Sequence, residues 1–313
     1  MMHSEEQLIW NINTPAPPLN EVVNGYELKS ELKKQTNSSY IYLGSKIGEN
    51  QQKVFKFIKR KMYSIDRIAN ELEIMKSVDH PNILKIEDSF PYKEYECIVT
   101  DYKPLKSLHS LIVTKYHNGI PEEMCKKIMF QMLKTINYLH TNNIWHRDIK
   151  PDNFLVEDSS FDHPKILLAD FGFAKQFKKN QLSREFLGTP EFCAPEMYNL
   201  LPYNNKVDIY SLGVTLFVML TAKYPVVPAN KNLNLCKEMV MNGQLNYQIL
   251  EETCISFDGI DLIKKMCAFK DDERLTAEDA INHKWISSLM NEKNSKMKTK
   301  INYYQSESIN FRF

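Results

Sequence analysis

The chain has 313 residues, and its 40 lysines and arginines nearly balance its 39 aspartates and glutamates, which gives a formal net charge of +1 at pH 7. This balance excludes an electrostatic argument for nucleic acid or a membrane surface as the main partner. Hydrophobic residues make up 43% of the chain and charged residues 25%, as is normal for a globular protein that buries a core. The length suits one large domain of two lobes, or two ordinary domains.

The cysteines and the apolar segments indicate an intracellular, cytoplasmic protein. The six cysteines form no CxxC pair and have no histidine cluster beside them, so we expect reduced thiols rather than disulfides or a zinc site. The polar N-terminus carries Glu5 and Glu6 and does not resemble a signal peptide. The longest apolar stretch, residues 209–222, is interrupted by polar residues and is too short to span a bilayer, so it predicts a buried helix.

In chain order, an extended arm and a β-rich region come first. Residues 1–24 contain prolines at 15, 17 and 18 and show no period, which is typical of an extended arm. Between Tyr26 and Thr100, short β-rich segments surround one helix, which the apolar spacing places between Ser64 and Ser77. The strand-like segments are residues 41–43, 54–58 and 97–100.

After Asp101 the pattern becomes mostly helical. Pro121 fits the first turn of a helix with an apolar stripe that runs to Leu139. Further helical patterns occupy residues 207–222, 233–242, 259–268 and 276–289. The sequence therefore predicts an α+β protein in three parts, which are a β-rich N-lobe at about 25–101, a mainly helical C-lobe at about 102–286, and a C-terminal tail at 287–313.

Four motifs in the second half of the chain carry the chemistry. They are His146-Arg147-Asp148-Ile149-Lys150-Pro151-Asp152-Asn153, Asp170-Phe171-Gly172, Gly188-Thr189-Pro190 and Ala194-Pro195-Glu196. By the order and spacing of these motifs, the chain resembles the protein kinase family over roughly residues 26–286. The resemblance implies a bilobal fold with ATP in the cleft between the lobes, and transfer of the γ-phosphoryl group to hydroxyls of protein substrates.

The resemblance also implies a role for each polar residue of the catalytic motifs. Asp148 is expected to accept or orient the proton of the substrate hydroxyl. Lys150 is expected to face the γ-phosphate, as in kinases of the serine/threonine class. Asn153 and Asp170 offer the hard oxygen ligands that Mg²⁺ prefers. Phosphoryl transfer needs such positioning, and cations that stabilise the spread negative charge, more than covalent work by the protein.

In the small lobe, the resemblance implies an ATP-binding lysine with a carboxylate partner. Lys56 is expected to bind the α- and β-phosphates and to pair with Glu71 on the helix. Lys53 and Glu73 are the nearby alternatives, although strand alternation puts Lys53 on the face opposite Lys56. The residues expected to bind ATP are Lys34, Ile41, Val54, Lys56, Thr100, Asp101, Tyr102 and Leu155, with Thr100 at the gatekeeper position.

The phosphate-covering loop departs from the family pattern. The three family glycines fall on Lys34, Thr36 and Ser39. Glycine serves there because the backbone must turn tightly and approach the phosphates closely. Its absence leaves three outcomes open, which are weaker ATP binding, a reshaped loop or a degenerate kinase. Because Lys56 and the catalytic residues are present, we favour an active enzyme over an inactive nucleotide-binding pseudokinase scaffold.

The activation segment suggests how such a kinase is regulated, and the candidate regulatory residues are Arg147, Ser183, Glu185 and Thr189. Many kinases place a phosphorylated threonine three residues before the glycine of the Gly-Thr-Pro motif, where its phosphate pairs with the arginine of the His-Arg-Asp motif. Here that position holds Glu185, whose permanent carboxylate can pair with Arg147 without phosphorylation. The alternative is that Glu185 is an ordinary solvated charge.

Within the family, Glu185 and the segment 272–286 most resemble the calcium-dependent and calmodulin-dependent kinases. The resemblance implies that Arg274 pairs with Glu196 and that a buried Asp208 holds the backbone of the catalytic loop. No EF-hand loop pattern occurs in the sequence, so calcium is not expected to act through a domain of this chain. A small-molecule kinase of similar fold is disfavoured by the two peptide-docking motifs, and a monomer is expected.

Overall fold

The structure, a computed structural model, describes residues 16–17, 19–36, 39–156, 164–226 and 233–289, without the side chains of residues 33–36, 233–234 and 236. The chain forms two compact units. The first contains the residues up to Ile68 together with Lys85–Lys103, and the second contains Ala69–Leu84 and the chain from Pro104 onward.

The first unit is built on one antiparallel sheet. Its strands are β1 (Val22–Val23), β2 (Tyr26–Thr36), β3 (Ser39–Lys46), β4 (Gln52–Lys59), β5 (Ile86–Tyr92) and β6 (Tyr95–Asp101). The six strands are arranged in the order β1-β2-β3-β4-β6-β5. A single 3₁₀ turn, Arg60–Met62, and the start of helix α1 (Ile65–Ser77) follow β4.

Strand alternation gives this sheet two different faces. One face carries a buried aromatic cluster that includes Tyr42, Phe55 and Phe57, and the rings of Tyr42 and Phe57 meet edge to face at 5.7 Å. Because successive residues of a strand point to opposite faces, Val54 and Lys56 lie on the other face. The aromatic cluster thus stiffens the sheet from one face, and the opposite face, with Lys56, carries predicted nucleotide-binding residues.

Part of the predicted N-terminal arm belongs to the sheet. Strand β1 pairs with the start of β2, and the hydroxyl of Tyr42 donates a hydrogen bond to the carbonyl of Pro17 at 2.9 Å. The sheet of the first unit therefore begins before residue 25, the start that the sequence predicted for the domain. The rest of the predicted arm, residues 1–15 and 18, lies outside the described residues.

The second unit is mainly helical. Its helices are α2 (Leu108–Thr114), α3 (Glu122–Thr141), α4 (Pro195–Tyr198), α5 (Lys206–Thr221), α6 (Leu233–Met241), α7 (Gln248–Glu251), α8 (Phe257–Met266) and α9 (Ala277–Asn282). Its strands are β7 (Lys106–Ser107), β8 (Ile144–Trp145), β9 (Phe154–Val156), β10 (Ile166–Leu168) and β11 (Lys175–Gln176), which form two small sheets ordered β10-β9-β7 and β11-β8. Single 3₁₀ turns form at Pro151–Asn153 and Pro190–Phe192.

Helix α5 is the centre of the second unit. Every residue from Val207 to Thr221 is buried, which confirms the buried helix predicted at residues 209–222. The helix packs against α3 and α8. Within the described part of the chain, no helix combines the length and the apolar character needed to cross a membrane.

The structure differs from the sequence-based boundaries in two places. Residues 69–84 belong to the helical unit, because Leu168 donates its N–H to the carbonyl of Asn82 at 2.7 Å and the Asn82 side chain donates to the carbonyl of Ile166 at 2.8 Å. The helical pattern at 276–289 is interrupted at His283, whose extended backbone ends α9 before a further helical segment at 284–289.

We predict that Gly213→Ala destabilises the protein, although alanine forms helix better than glycine by about 1 kcal/mol. A Cβ at Gly213 of α5 would lie 2.5 Å from the Cys267 sulfur and 2.9 Å from the Met266 Cβ. Overpacking of this kind costs about 1–3 kcal/mol, so we expect a net loss of about 1 kcal/mol in urea unfolding. Adding Cys267→Ala should recover part of the loss, whereas a Gly213→Ala protein more stable than wild type would contradict the packing.

Candidate active site

A β-hairpin brings the two predicted metal-binding residues to one end of the same sheet. Strands β9 and β10 pair antiparallel with Phe154 opposite Leu168. One residue beyond this pair, Ala169 donates its N–H to the carbonyl of Asn153 at 2.8 Å. Asn153 precedes β9 and Asp170 follows β10, so the register of the hairpin places both at this end.

Asp148 lies at the centre of a hydrogen-bond network and is only 6% exposed. Its Oδ1 accepts from the Thr189 hydroxyl at 2.7 Å, and its Oδ2 accepts from Lys150 Nζ at 2.8 Å. Lys150 Nζ also donates to Thr189 Oγ1 at 2.5 Å. The network joins the catalytic motif to the Gly-Thr-Pro motif, and it fixes the Asp148 carboxylate in one orientation.

Asn153 is oriented by the same carboxylate. Its Nδ2 donates to the Asp148 carbonyl at 2.7 Å and to Asp148 Oδ2 at 3.1 Å. With both amide hydrogens directed at Asp148, the amide oxygen points away from it and can act as a ligand. Asp170 is held in a left-handed backbone conformation, with φ at 64°. An amide oxygen and a carboxylate at one end of a hairpin fit Mg²⁺, which prefers a few hard oxygen ligands beside phosphate oxygens.

Gly188 allows the activation segment to approach the catalytic loop closely. It has a φ of 96°, and a Cβ at this position would clash with the carbonyl oxygen of Arg147. Arg147 itself has a φ of 64°, a conformation that non-glycine residues rarely adopt. Strain of this kind persists only where neighbouring contacts enforce it.

Those contacts come from Asp208 of helix α5, which is completely buried. Its carboxylate accepts the backbone N–H groups of His146 at 2.9 Å and Arg147 at 2.7 Å, and contacts His140 Nε2 at 2.9 Å. Burial alone would raise the pKa of Asp208, but His140 and the backbone N–H of His146 hold it below its usual range. The predicted role of Asp208 is therefore confirmed, whereas the contribution of His140 had no signal in the sequence.

His146 is buried and neutral in this environment. Burial lowers the pKa of its imidazole, and the ring packs edge to face on Phe171 with the centroids 5.2 Å apart. Its Nδ1 accepts from the N–H of Asp148 at 3.4 Å. His146 thus acts as a packing residue beneath the Asp170-Phe171-Gly172 motif.

The activation segment returns to the catalytic loop through Glu185. Its Oε2 lies 2.6 Å from Arg147 Nη1 and 3.8 Å from Lys175 Nζ. Partial burial alone would raise the pKa of Glu185, but Arg147 holds it below its ordinary value. Glu185 is therefore ionised at neutral pH, and this geometry goes against the alternative of an isolated solvated charge.

The end of the activation segment is fixed by the predicted pair of Arg274 and Glu196. Arg274 Nη1 and Nη2 donate to the two carboxylate oxygens of Glu196 at 2.7 and 3.1 Å, and the arginine side chain is fully buried. A bidentate pair of this kind fixes both distance and orientation. It ties α4 to the loop before α9.

The first unit groups most of its predicted nucleotide-binding residues on one face. Ile41 lies opposite Lys56, and Val54 lies opposite Thr100, so all four share a face of the sheet. Lys53 lies on the other face, where its Nζ contacts Asp101 at 2.8 Å and Glu87 at 2.5 Å.

The remaining predicted residues are placed individually. The side chain of Asp101 is used by Lys53, and the backbone N–H of Tyr102 donates to the Gln52 carbonyl at 3.1 Å. Lys34 lies in β2 opposite Tyr40, and residues 37–38 of the phosphate-covering loop lie outside the described residues. The half-buried Leu155 lies in β9 of the second unit.

Burial favours Glu71 over its neighbour as the partner carboxylate. Glu71 is 5% exposed, whereas Glu73 is exposed. Glu71 belongs to the second unit and Lys56 to the first, and their pairing stays a prediction.

Comparisons with known proteins show the family to which this fold belongs. The family model for the protein kinase domain matches residues 35–286. The chain therefore belongs to the protein kinase family, and its β-rich and helical units are the two lobes of the protein kinase fold.

The chain is similar to calcium-dependent protein kinases of Plasmodium species. It is 34% identical over 242 residues to calcium-dependent protein kinase 5 of Plasmodium berghei, covering 77% of this chain and 42% of the relative. It is 33% identical over 237 residues to the same-named protein of Plasmodium falciparum, covering 75% and 41%. It is 33% identical over 265 residues to calcium-dependent protein kinase 3 of Plasmodium yoelii yoelii, covering 83% and 48%. The chain thus spans less than half the length of these relatives.

We predict that Asp208→Asn weakens the protein by about 3 kcal/mol, because the amide cannot accept both backbone N–H groups as the buried carboxylate does. Since the folded-state pKa of Asp208 is depressed, its stabilisation is complete above the unfolded value of about 3.9 and is lost as the pH falls through the lower folded value. The difference between variant and wild type in urea unfolding should therefore be constant from about pH 6 to 8 and shrink in acid.

The matched control is Asp279→Asn, in the exposed capping box of α9. Asp279 is the N3 residue of this box and accepts the N–H of the N-cap Thr276 at 3.0 Å. An asparagine oxygen can still accept that N–H, so this change should cost less than about 1 kcal/mol. If Asp208→Asn and the control had the same free energy of unfolding in urea, Asp208 would not anchor the catalytic loop.

Proposed function

We propose that the chain is an ATP-dependent serine/threonine protein kinase that transfers the γ-phosphoryl group of ATP to hydroxyls of protein substrates. The observation that carries the proposal is the network in which Asp148 is held by Lys150 and Thr189, next to Asn153. A structural role alone does not require a nearly buried carboxylate with a lysine and a hydroxyl aimed at it.

In the proposed mechanism, Asp148 positions the substrate hydroxyl and accepts its proton. Lys150 Nζ lies 2.8 Å from Asp148 Oδ2. From this position it can contact the γ-phosphate while Asp148 holds the substrate hydroxyl in line with the phosphorus. Asn153 and Asp170 would hold Mg²⁺, which would neutralise part of the phosphate charge when bound. Lys56 is proposed to contact the α- and β-phosphates, with Glu71 as its partner.

The proposal of a protein rather than a small molecule as the substrate rests on the contacts of Lys150 and of the activation segment. The lysine bridges Asp148 and Thr189, and Thr189 belongs to the segment that the protein kinase family uses to dock peptides. The Arg274–Glu196 pair fixes the end of that segment. These contacts support a protein substrate over a small molecule.

A catalytically weak or inactive pseudokinase is the second candidate, because the phosphate-covering hairpin has no glycine at the three family positions. Strands β2 and β3 remain paired up to Thr36 and Ser39. The register of this pairing is irregular at three points along β2, and this supports a reshaped phosphate-covering segment. The intact Asp148 network favours turnover over the inactive alternative.

We predict that the purified protein phosphorylates a generic protein substrate with ATP and Mg²⁺. Asp148→Asn should lower kcat at least about a hundredfold, the usual contribution of a general base, with little change in ATP binding. Radiolabel transfer and a nucleotide-binding assay measure the two effects separately. Asp258→Asn changes a half-buried carboxylate of α8 that pairs with Lys284, and it serves as a control with wild-type kcat. ATP binding without any transfer in the wild-type protein would favour the pseudokinase.

We also propose that Glu185 replaces an activating phosphate. The carboxylate contacts the same arginine that precedes the catalytic aspartate, at 2.6 Å, and adds Lys175 at 3.8 Å. Because the pKa of Glu185 is lowered, the negative charge is present at every pH in the cytoplasmic range. Activity would therefore not depend on prior phosphorylation of this segment.

We predict that phosphatase-treated wild type is fully active and that Glu185→Gln, which keeps the shape but removes the charge, lowers kcat about tenfold. The control Glu251→Gln removes an exposed carboxylate that pairs with Lys264 and should have no effect on kcat. A dephosphorylated wild type that is inert until phosphate is added at Ser183 would contradict the proposal, and so would a Glu185→Gln protein with wild-type kcat.

A further inference from the structure

Glu185 is held from its backbone as well as from its side chain. We propose that Ser183 and Tyr203, here called the Glu185 clamp, are positioning residues that set the Glu185 carboxylate on Arg147. The inference rests on the proposed role of Glu185 as a permanent activating charge. Nothing in the sequence motifs pointed to Tyr203.

The first part of the clamp is a pair of backbone hydrogen bonds. Ser183 donates its N–H to the Tyr203 carbonyl at 3.0 Å, and Tyr203 donates its N–H to the Ser183 carbonyl at 2.8 Å. This reciprocal bridge lies outside the regular strands of the second unit. It fixes the activation segment two residues before Glu185.

The second part is the hydroxyl of Tyr203. It donates to the main-chain carbonyl of Glu185 at 2.8 Å. Tyr203 is 1% exposed, and its ring lies 6.2 Å from that of Trp145, the residue before the His-Arg-Asp motif. One buried side chain therefore contacts both the backbone of Glu185 and the strand that leads into the catalytic loop.

The third part is the hydroxyl of Ser183, which donates to Glu185 Oε2 at 3.3 Å, the same oxygen that Arg147 contacts. The N–H of Glu185 returns a hydrogen bond to Ser183 Oγ at 3.4 Å. Ser183 is 6% exposed. A negative group at Ser183 would face the Glu185 carboxylate and compete for Arg147, so it should open the clamp rather than activate the kinase.

Tyr203→Phe tests the clamp because it removes one hydroxyl and keeps the ring beside Trp145. We expect kcat to fall about fivefold with an unchanged KM for ATP, which is the scale of one lost hydrogen bond. In a Glu185→Gln background the same change should have a smaller effect, since both act through one contact. Tyr26→Phe, which removes a hydroxyl donated to Asp88 in the other unit, is the matched control and should leave kcat unchanged.

Limited trypsin digestion gives a readout that does not depend on activity. Arg184 is exposed between Ser183 and Glu185, and cleavage after it requires the segment to open. We expect Tyr203→Phe to raise the rate of this cleavage about fivefold, measured by mass spectrometry of the fragments, and Tyr26→Phe to leave it unchanged. Ser183→Asp should raise the cleavage rate and lower kcat.

The outcomes separate the clamp from the role of Glu185. Wild-type kcat and cleavage in Tyr203→Phe, with Glu185→Gln still impaired, would reject the clamp alone. A loss in Tyr203→Phe that is equally large in the Glu185→Gln background would also reject it, because Tyr203 would then act by another route. Higher activity in Ser183→Asp would overturn the inference that this serine must stay uncharged. Wild-type kcat in Glu185→Gln would reject the activating role itself, and faster cleavage in Tyr203→Phe would then show a clamp without catalytic effect.

Discussion

The catalytic geometry of the second unit depends on one buried carboxylate. Asp208 accepts the N–H groups of His146 and Arg147, so the backbone at Arg147 can keep a φ of 64° that it would otherwise leave. That conformation directs the Arg147 side chain toward the activation segment and the Asp148 side chain toward Lys150 and Thr189. A buried charge in the first turn of a mainly apolar helix is costly, and the N–H groups and the imidazole that contact it compensate for the lost hydration.

Arg147, which Asp208 holds in place, makes two contacts with the activation segment, and the two contacts differ in kind. The Arg147–Glu185 contact is electrostatic, and it operates because the lowered pKa of Glu185 keeps the carboxylate charged. The close approach of Gly188 to the Arg147 carbonyl is steric, and it operates because no side chain intervenes. A phosphate can replace the Glu185 carboxylate in the first contact, whereas no reversible modification can replace the glycine in the second. A segment held by both kinds of contact in the unmodified chain has less need of a covalent switch.

The sequence predicted well where a contact follows from local spacing or from a motif whose geometry is shared by its family. The buried helix at 209–222, the placement of Lys53 and Lys56 on opposite faces, and the Arg274–Glu196 pair belong to this class. Two further partners were harder to foresee, which are His140 for Asp208 and Tyr203 for Glu185. His140 lies 68 residues from Asp208 and Tyr203 lies 18 residues from Glu185. Neither has a pattern that marks it, because a single hydrogen bond imposes no periodicity on the sequence around it.

The two boundaries differ from the prediction for the same reason, which is that contacts distant in sequence, rather than apolar spacing, determine them. Apolar spacing alone runs through His283, yet its ring contacts Asp261 at 3.0 Å and accepts the Trp285 N–H at 3.3 Å, which are contacts that an uninterrupted helix would not offer. Residues 69–84 begin inside helix α1, which starts in the β-rich unit, yet hydrogen bonds of Asn82 to β10 assign them to the helical unit. Helix α1 therefore carries Glu71 with the unit that holds the catalytic residues, while Lys56 belongs to the sheet.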